Sequence, residues 1–215
     1  ELRHAVHLNS DNPLALLHCA RALIGADQRG EARALLGAAC TRGLASLELI
    51  VLYAEQCLEG GDSEAALGVL EPAAAANPQS KALCFTLGLA QMRHGRYDQA
   101  LAIFERLLSQ YPDDVDVRVQ LAWLLPAFGR GAESSAHLQH VLVLLPENRQ
   151  VFSTFLLAMN YEDHFSAAEI FDQHRGYGER YPQPCWPARQ SLSQSRLRIA
   201  YVSNAFCRNA LASFI

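Results

Sequence analysis

The sequence has 215 residues, of which 50% are hydrophobic and 19% are charged. A chain of this composition can bury a sizeable core, which excludes a disordered or collagen-like protein. Lys and Arg number 18 against 22 Asp and Glu, so the net charge of −4 leaves no cationic excess for a nucleic-acid backbone. No apolar stretch approaches the roughly 20 residues that span a bilayer. We therefore expect a globular, cytoplasmic protein that binds neither nucleic acid nor membranes.

Cysteine and histidine spacing gives little support to a metal site. The 6 cysteines are scattered singly, without a C-x-x-C pair or zinc-like spacing. Two histidine pairs are spaced to share a helix face, but a zinc site needs further ligands and no third one is identifiable. We expect reduced thiols, surface or groove histidines and no metal. The histidine pairs are His4 with His7 and His137 with His140.

The sequence repeats itself with a period of 34 residues. A unit of two antiparallel helices explains the columns, because it needs small residues where the helices meet, a glycine at the turn and a proline after the second helix. Large apolar residues, with the aliphatic stem of Arg118 in one case, recur in two further columns at helical spacing. The columns are Ala20, Ala54, Gly88 and Ala122; Ala32, Ala66, Ala100 and Ser134; Gly61, Gly95 and Gly129; Pro78, Pro112 and Pro146; Leu16, Ile50, Cys84 and Arg118; and Leu36, Leu70, Phe104 and Leu138.

This pattern resembles the tetratricopeptide repeat, most clearly in Leu87-Gly88, Gly95, Tyr97, Ala100, Phe104 and Pro112. The resemblance implies an all-α protein whose helix pairs stack into a right-handed superhelix with one continuous core. The solenoid is expected over residues 1–148, with the last helix of an earlier repeat at the start. Its four full repeats are 13–46, 47–80, 81–114 and 115–148.

Residues 149–181 are expected to continue as a divergent helix pair. Apolar residues mark one face of each helix, and two prolines within the repeats, Pro72 and Pro126, predict local kinks. The apolar residues are Phe152, Phe155 and Met159 on the first helix and Ala168, Ile170 and Phe171 on the second.

The C-terminal part of the sequence predicts a change of fold. Residues 182–196 are rich in Pro, Gln, Ser and Arg and are expected to form a linker. Residues 197–203 read as a strand, followed by a loop and the beginning of a helix. Because a single strand needs neighbours to pair with, we expect residues 197–215 to be the start of a truncated α/β, Rossmann-like domain.

The order of these parts resembles the junction in protein O-GlcNAc transferases and related SPINDLY-like glycosyltransferases. Tyr201, Val202, Ser203 and Phe206 match a strand signature of the catalytic region, whereas Asn209 stands at the position of the active-site histidine. Asparagine is not a general base near neutral pH, so no catalytic residue is assigned.

Two functions follow as hypotheses. In the first, which rests on the resemblance, the chain is the protein-binding repeat region of a glycosyltransferase. The complete enzyme would transfer N-acetylglucosamine from UDP-GlcNAc to Ser or Thr of proteins, and this chain alone would be inactive and without a cofactor. In the second, the chain is a stand-alone scaffold for protein–protein interaction with no enzyme activity.

Both hypotheses place a protein or peptide in the concave groove, which the first helix of each repeat lines in this family. An apolar stripe in the middle of the groove suits an extended or helical peptide, with Trp123 as the binding hot spot. The alternative for the stripe is packing between repeats. The stripe is Phe85, Leu89, Met92 and Trp123, and the other predicted groove residues are His18, Arg21, Glu55 and Gln120.

Overall fold

The computed structural model describes residues 12–182. The helices of the described residues belong to one compact unit of the chain, which ends at Tyr181. Residues 12–182 form ten α-helices and one 3-10 helix, without a strand. The helices are α1 (Pro13–Gly25), α2 (Arg29–Thr41), α3 (Leu47–Glu59), α4 (Ser63–Ala76), α5 (Lys81–Arg93), α6 (Tyr97–Gln110), α7 (Val115–Leu124), the 3-10 helix (Leu125–Phe128), α8 (Gly131–Leu144), α9 (Arg149–Met159) and α10 (Ala167–Arg180).

The helices form five successive pairs. Their first helices begin at residues 13, 47, 81, 115 and 149, in steps of 34. Each helix packs against the next one along the chain, and α3 also contacts both α1 and α5, which are the first helices of the neighbouring pairs. This stacking is typical of a helical-repeat solenoid and confirms the predicted all-helical repeat fold of the described residues.

Local sequence signals set the ends of these helices. Side chains at the N-cap accept hydrogen bonds from backbone N–H groups of the first turn, which otherwise lack partners. The glycines of the predicted turn column adopt φ values of +80°, +83° and +69° at Gly61, Gly95 and Gly129, a left-handed conformation that side chains with a Cβ disfavour. The capping residues are Asn12, Ser46, Asp62, Asp114, Asn148 and Ser166.

The core runs along the solenoid as a row of buried side chains from the second helices. The predicted apolar column of the second helices is buried in each of the first four pairs, so this part of the sequence interpretation is confirmed. Small residues of the first helices face it and allow close approach. The buried column is Leu36, Leu70, Phe104 and Leu138.

The two prolines have different consequences. The α-helix ends just before Pro126: the last residue of α7 is Leu124, and a 3-10 helix follows over Leu125–Phe128. Helix α4, by contrast, continues through the exposed Pro72 as far as Ala76. Proline removes a backbone hydrogen-bond donor. At Pro126, where a kink was predicted, the helix changes from α to 3-10.

The fifth pair departs from the predicted packing. Phe152, Phe155 and Met159 of α9 are buried as expected. The assignment of Ala168 and Phe171 to the packed face of α10 was wrong, because Ala168 is exposed and Phe171 keeps 63% of its surface exposed. The side chains of α10 that pack on the core of the fifth pair are Ile170 and Tyr177, seven residues apart and therefore on one helix face.

None of the helices in residues 12–182 has the length and apolar composition of a bilayer-crossing segment. Apart from Pro182, the predicted linker lies outside the described residues, as do the predicted strand and Asn209.

Candidate functional site

An open groove of about 800 Å³ lies between α7, α9 and α10. Its lining combines large apolar side chains, neutral hydrogen-bonding groups and one arginine. Such a mixture, with apolar surface and a few polar groups that fix orientation, is typical of binding sites. The lining residues are Trp123, Arg149, Gln150, Ser153, Thr154, Leu156, Leu157, Asn160, His174 and Tyr177.

Helix α9 supplies most of this lining. The Asn148 side chain caps the helix by accepting a hydrogen bond from the Val151 N–H at 3.0 Å. One face of α9 is buried in the core and fixes the orientation of the helix, so the opposite face is directed to the groove. The groove face carries Gln150, Ser153, Leu157 and Asn160, at the three- and four-residue spacing of one side of an α-helix.

Trp123 and Leu157 are the large apolar side chains that the groove leaves open to solvent. Trp123 is 55% exposed and Leu157 is 51% exposed. Exposed apolar groups that line one concave surface mark an interaction site more strongly than scattered ones. Trp123, the predicted hot spot, therefore lies in the groove wall.

Arg149 supplies the positive charge of the groove. Its Nε donates a hydrogen bond to the Tyr177 hydroxyl at 3.0 Å, and its Cζ lies 5.6 Å from the centre of the Tyr181 ring. The hydrogen bond with Tyr177 raises the pKa of Arg149, so the guanidinium stays charged. Among the described residues, the lining contains no Asp or Glu.

The other residues of the predicted apolar stripe take part in packing. Phe85, Leu89 and Met92 are half-buried against the core clusters of α5 to α7. The Phe85 ring meets the buried Phe104 ring edge-on, with centroids 5.8 Å apart. Phe85, Leu89 and Met92 therefore fit the packing interpretation of the stripe. Trp123 is exposed and is available to a ligand.

Of the predicted groove residues at the start of the chain, Arg21 and Glu55 belong to a separate group of charges on α1 and α3. His18 and Arg21 are exposed on α1, and Arg21 Nη2 lies 3.7 Å from Glu48 Oε2 of α3. Glu55 is exposed nearby, and partial burial, together with the charge of Glu59, raises its pKa against the opposing effect of Arg21. Gln120, on α7, is half-buried. The structure does not bring these residues together with Trp123 in one pocket.

Sequence reasoning missed the contribution of α9 to the groove. The predicted groove positions stop at Trp123, because the residue pattern of the repeat fades after residue 148. Helix α9 nevertheless begins in the same register, at residue 149. Adding 34 to positions 119, 120 and 123 gives Ser153, Thr154 and Leu157, all of which line the groove. The 34-residue period of the sequence therefore already indicated these three groove positions.

The two histidines of α8 contact different side chains. His137 Nδ1 lies 3.2 Å from Arg118 Nη1, and His140 Nε2 lies 3.2 Å from Asp113 Oδ1. Burial lowers the pKa of His137, and the charge of Arg118 adds to this effect. No group of three or more metal-ligating side chains occurs among the described residues.

Comparison with known protein families finds a repeat signature in the middle of the chain. Residues 57–115 and 91–153 match two sequence models of the tetratricopeptide repeat. No curated protein matches the sequence. The described part of the chain is thus a helical-repeat structure, and residues 57–153 within it match the tetratricopeptide repeat.

Solved structures share the fold at low sequence identity. MamA from MSR-1 superposes with a TM-score of 0.64 at 20% identity, over 78% of this chain and 97% of that one. YrrB, a tetratricopeptide repeat protein with an unusual peptide-binding site, gives 0.65 at 15% identity, over 85% of this chain and 93% of that one. A mutant Thermobaculum terrenum O-GlcNAc transferase gives 0.56 at 20% identity, over 62% of this chain and 26% of that one.

Proposed function

We propose that this chain is a protein-interaction scaffold that binds an extended segment of a partner in the groove between α7, α9 and α10. The observation that carries the proposal is the exposure of Trp123, 55% open to solvent in the wall of that groove. Burying a tryptophan removes a large apolar surface from water, and this residue type dominates the energy of many interfaces.

The shape and the polar groups of the groove support the same function. Stacked repeats present an extended surface, which is suited to a linear segment of a partner. Gln150 and Ser153 on α9 offer neutral hydrogen-bonding side chains beside Leu157. Such groups can pair with the backbone of an extended peptide while the apolar wall takes a side chain.

The scaffold function is tested by photo-crosslinking from the groove. A photoreactive residue in place of Ser153, introduced in the native cells, should capture a discrete partner protein that is then identified by mass spectrometry. Trp123→Ala should weaken the purified partner's binding about thirtyfold, the effect of losing a hot-spot side chain worth roughly 2 kcal/mol.

Phe171→Ala is the matched control, because Phe171 is an exposed aromatic residue on α10 outside the groove. It should leave the affinity unchanged. Equal affinities of the Trp123→Ala variant and the unsubstituted chain, with both folded by circular dichroism, would exclude the groove as the binding site.

A second candidate is the repeat region of an O-GlcNAc transferase-like glycosyltransferase. It is supported by the shared fold with the Thermobaculum terrenum enzyme, which extends over 26% of that chain. The resemblance of Tyr201, Val202, Ser203 and Phe206 to a catalytic-region strand also supports it. In this candidate the groove selects the acceptor polypeptide, and UDP-GlcNAc is the donor of the complete enzyme.

The second candidate is tested by determining the native reading frame beyond Ile215 and assaying its product with radiolabelled UDP-GlcNAc. A frame that encodes further strand and helix units, and whose product labels protein Ser or Thr, would support the transferase. Residues 1–215 alone should transfer no sugar. A frame without such units, or a folded product without transfer even after Asn209→His, would favour the scaffold alone.

A further inference from the structure

We propose that the groove between α7, α9 and α10 selects an acidic internal segment of its partner, in which an Asp or Glu carboxylate lies next to a large apolar side chain. This inference rests on the proposed scaffold function and adds to it the chemical class of the ligand. It is carried by the charge, the apolar surface and the fixed geometry of the groove.

The groove is a cationic site in an acidic protein. The whole sequence has a net charge of −4, yet the part of the lining that the structure describes holds Arg149 and no Asp or Glu. Among residues 12–182, no carboxylate forms an ion pair with Arg149. A second pocket shows the contrast, since its Arg130 is held by Glu105 and Glu133 at 2.7 Å each. Arg149 therefore retains its charge for an external carboxylate.

The Arg149 guanidinium is also oriented before a ligand arrives. Its Nε is bound to the Tyr177 hydroxyl at 3.0 Å, and the Tyr181 ring lies on one side of it. Within the described part of the chain, its two Nη groups have no hydrogen-bond partner. A guanidinium held in this way loses little conformational entropy when it binds a carboxylate through two N–H groups.

The remaining lining favours a peptide over a small anion. His174 carries a ring N–H that donates in either protonation state. Trp123 and Leu157, which are 55% and 51% exposed, offer apolar surface at the same groove. A ligand that pairs a carboxylate with a large apolar side chain uses both features. Because the groove is open and spans three helices, it admits a continuing chain, and we assign the carboxylate to a side chain within that chain.

The test uses residues 1–215 as bait for a displayed library of random heptapeptides flanked on both sides by constant sequence. Enriched peptides should combine Asp or Glu with an aromatic or aliphatic residue. The best peptide is then synthesised with both ends blocked. Its affinity is measured from the fluorescence of Trp123 in a Trp186→Phe background, so that one tryptophan reports binding.

Arg149→Gln should weaken the blocked peptide's binding about three- to tenfold, as expected for one charge-assisted contact at a solvent-exposed site. Arg149→Lys should recover part of that loss. Binding should also weaken between 50 mM and 200 mM salt, because salt screens the carboxylate from the guanidinium. The matched control is Arg175→Gln on α10, an exposed arginine outside the groove whose loss should not change the affinity.

The outcomes separate this inference from the scaffold proposal. Enrichment of neutral or basic peptides that still require Trp123 would overturn the acidic class and leave the scaffold function standing. Absence of any enriched peptide would count against both. Acidic peptides that bind Arg149→Gln as tightly as the unsubstituted chain would also overturn the inference. So would binding that needs a free C-terminal carboxylate, because the ligand would then be a chain end.

Discussion

The Ser134 hydroxyl donates a hydrogen bond to the carbonyl oxygen of Ala122 at 2.6 Å, and both residues are buried. In an uninterrupted α-helix the Ala122 carbonyl would accept the backbone N–H four residues later, but Pro126 has no N–H. The serine therefore replaces a donor that the proline removes. The same repeat position is alanine in the preceding pairs, at Ala32, Ala66 and Ala100.

The first prediction tests this compensation. Ser134→Ala should lower the free energy of unfolding by about 1–3 kcal/mol, because it leaves a buried carbonyl without a donor. In a Pro126→Ala background the backbone N–H is restored, and the same substitution should cost less than about 0.5 kcal/mol. The measurement is a double-mutant cycle by urea denaturation. If the effects of Ser134→Ala and Pro126→Ala on the free energy of unfolding are additive, Ser134 does not compensate for Pro126.

The second prediction concerns the close approach of α5 and α6. A Cβ at Gly88 would lie 2.7 Å from the ring of Phe104, which is fully buried, so the packing around the ring must shift to admit it. Gly88→Ala should therefore destabilise the protein by about 1–3 kcal/mol.

Gly68→Ala is the matched control, since Gly68 lies inside α4 and a methyl group added there would have no neighbouring atom within 4 Å outside its own helix backbone. It should stabilise by up to about 1 kcal/mol through helix propensity. In thermal unfolding, Gly88→Ala should lower the midpoint temperature and Gly68→Ala should raise it. A raised midpoint for Gly88→Ala would contradict the close packing of Gly88 against Phe104.

The sequence predicts the helix register well, because the register depends on local signals. Turn glycines, capping residues and the apolar column repeat every 34 residues, and the helix pairs keep that period. Exposure within a column is harder to predict. Leu89 and Trp123 are 34 residues apart, yet Leu89 packs against core clusters while Trp123 is 55% exposed. Periodicity gives the face of a helix but not how fully its neighbours cover that face, and Trp123 lies one residue before α7 ends at Leu124.

The third prediction concerns the junction of the third and fourth pairs. Asp114 caps α7 by accepting the Val117 N–H at 3.0 Å, and it forms an ion pair with Lys81, the first residue of α5. Asp114→Ala should cost about 1–2 kcal/mol of unfolding free energy from the lost cap. Asp114→Asn keeps a capping oxygen and removes the charge, so it should cost less. Equal losses for the two variants in urea denaturation would assign the whole effect to the ion pair.

The same residue predicts a pH dependence. Burial by itself would raise the pKa of Asp114, but the hydrogen bonds from Lys81 and the Val117 backbone, with the Lys81 charge, lower it overall. A carboxyl whose folded pKa is lowered stabilises the fold above its unfolded pKa of about 4 and loses that contribution as the pH falls through the folded value. Unfolding measured between pH 5 and pH 2 should therefore show a smaller acid loss in Asp114→Asn. An unchanged acid profile would contradict this role.

The fourth prediction concerns the stability of α10, which supplies one wall of the groove. A capping box between Ser166 and Glu169 starts this helix, but none of its side chains is fully buried. Helix α5, in contrast, buries Leu83 and several other residues. Local opening is easiest where few apolar contacts hold an element, so amides of α10 should exchange with deuterium at least about tenfold faster than those of α5. Because His174 and Tyr177 of α10 line the groove, a bound peptide should slow exchange in α10 while leaving α5 unchanged. Exchange that is equally slow in both helices without a peptide would show that α10 is held as firmly as the core.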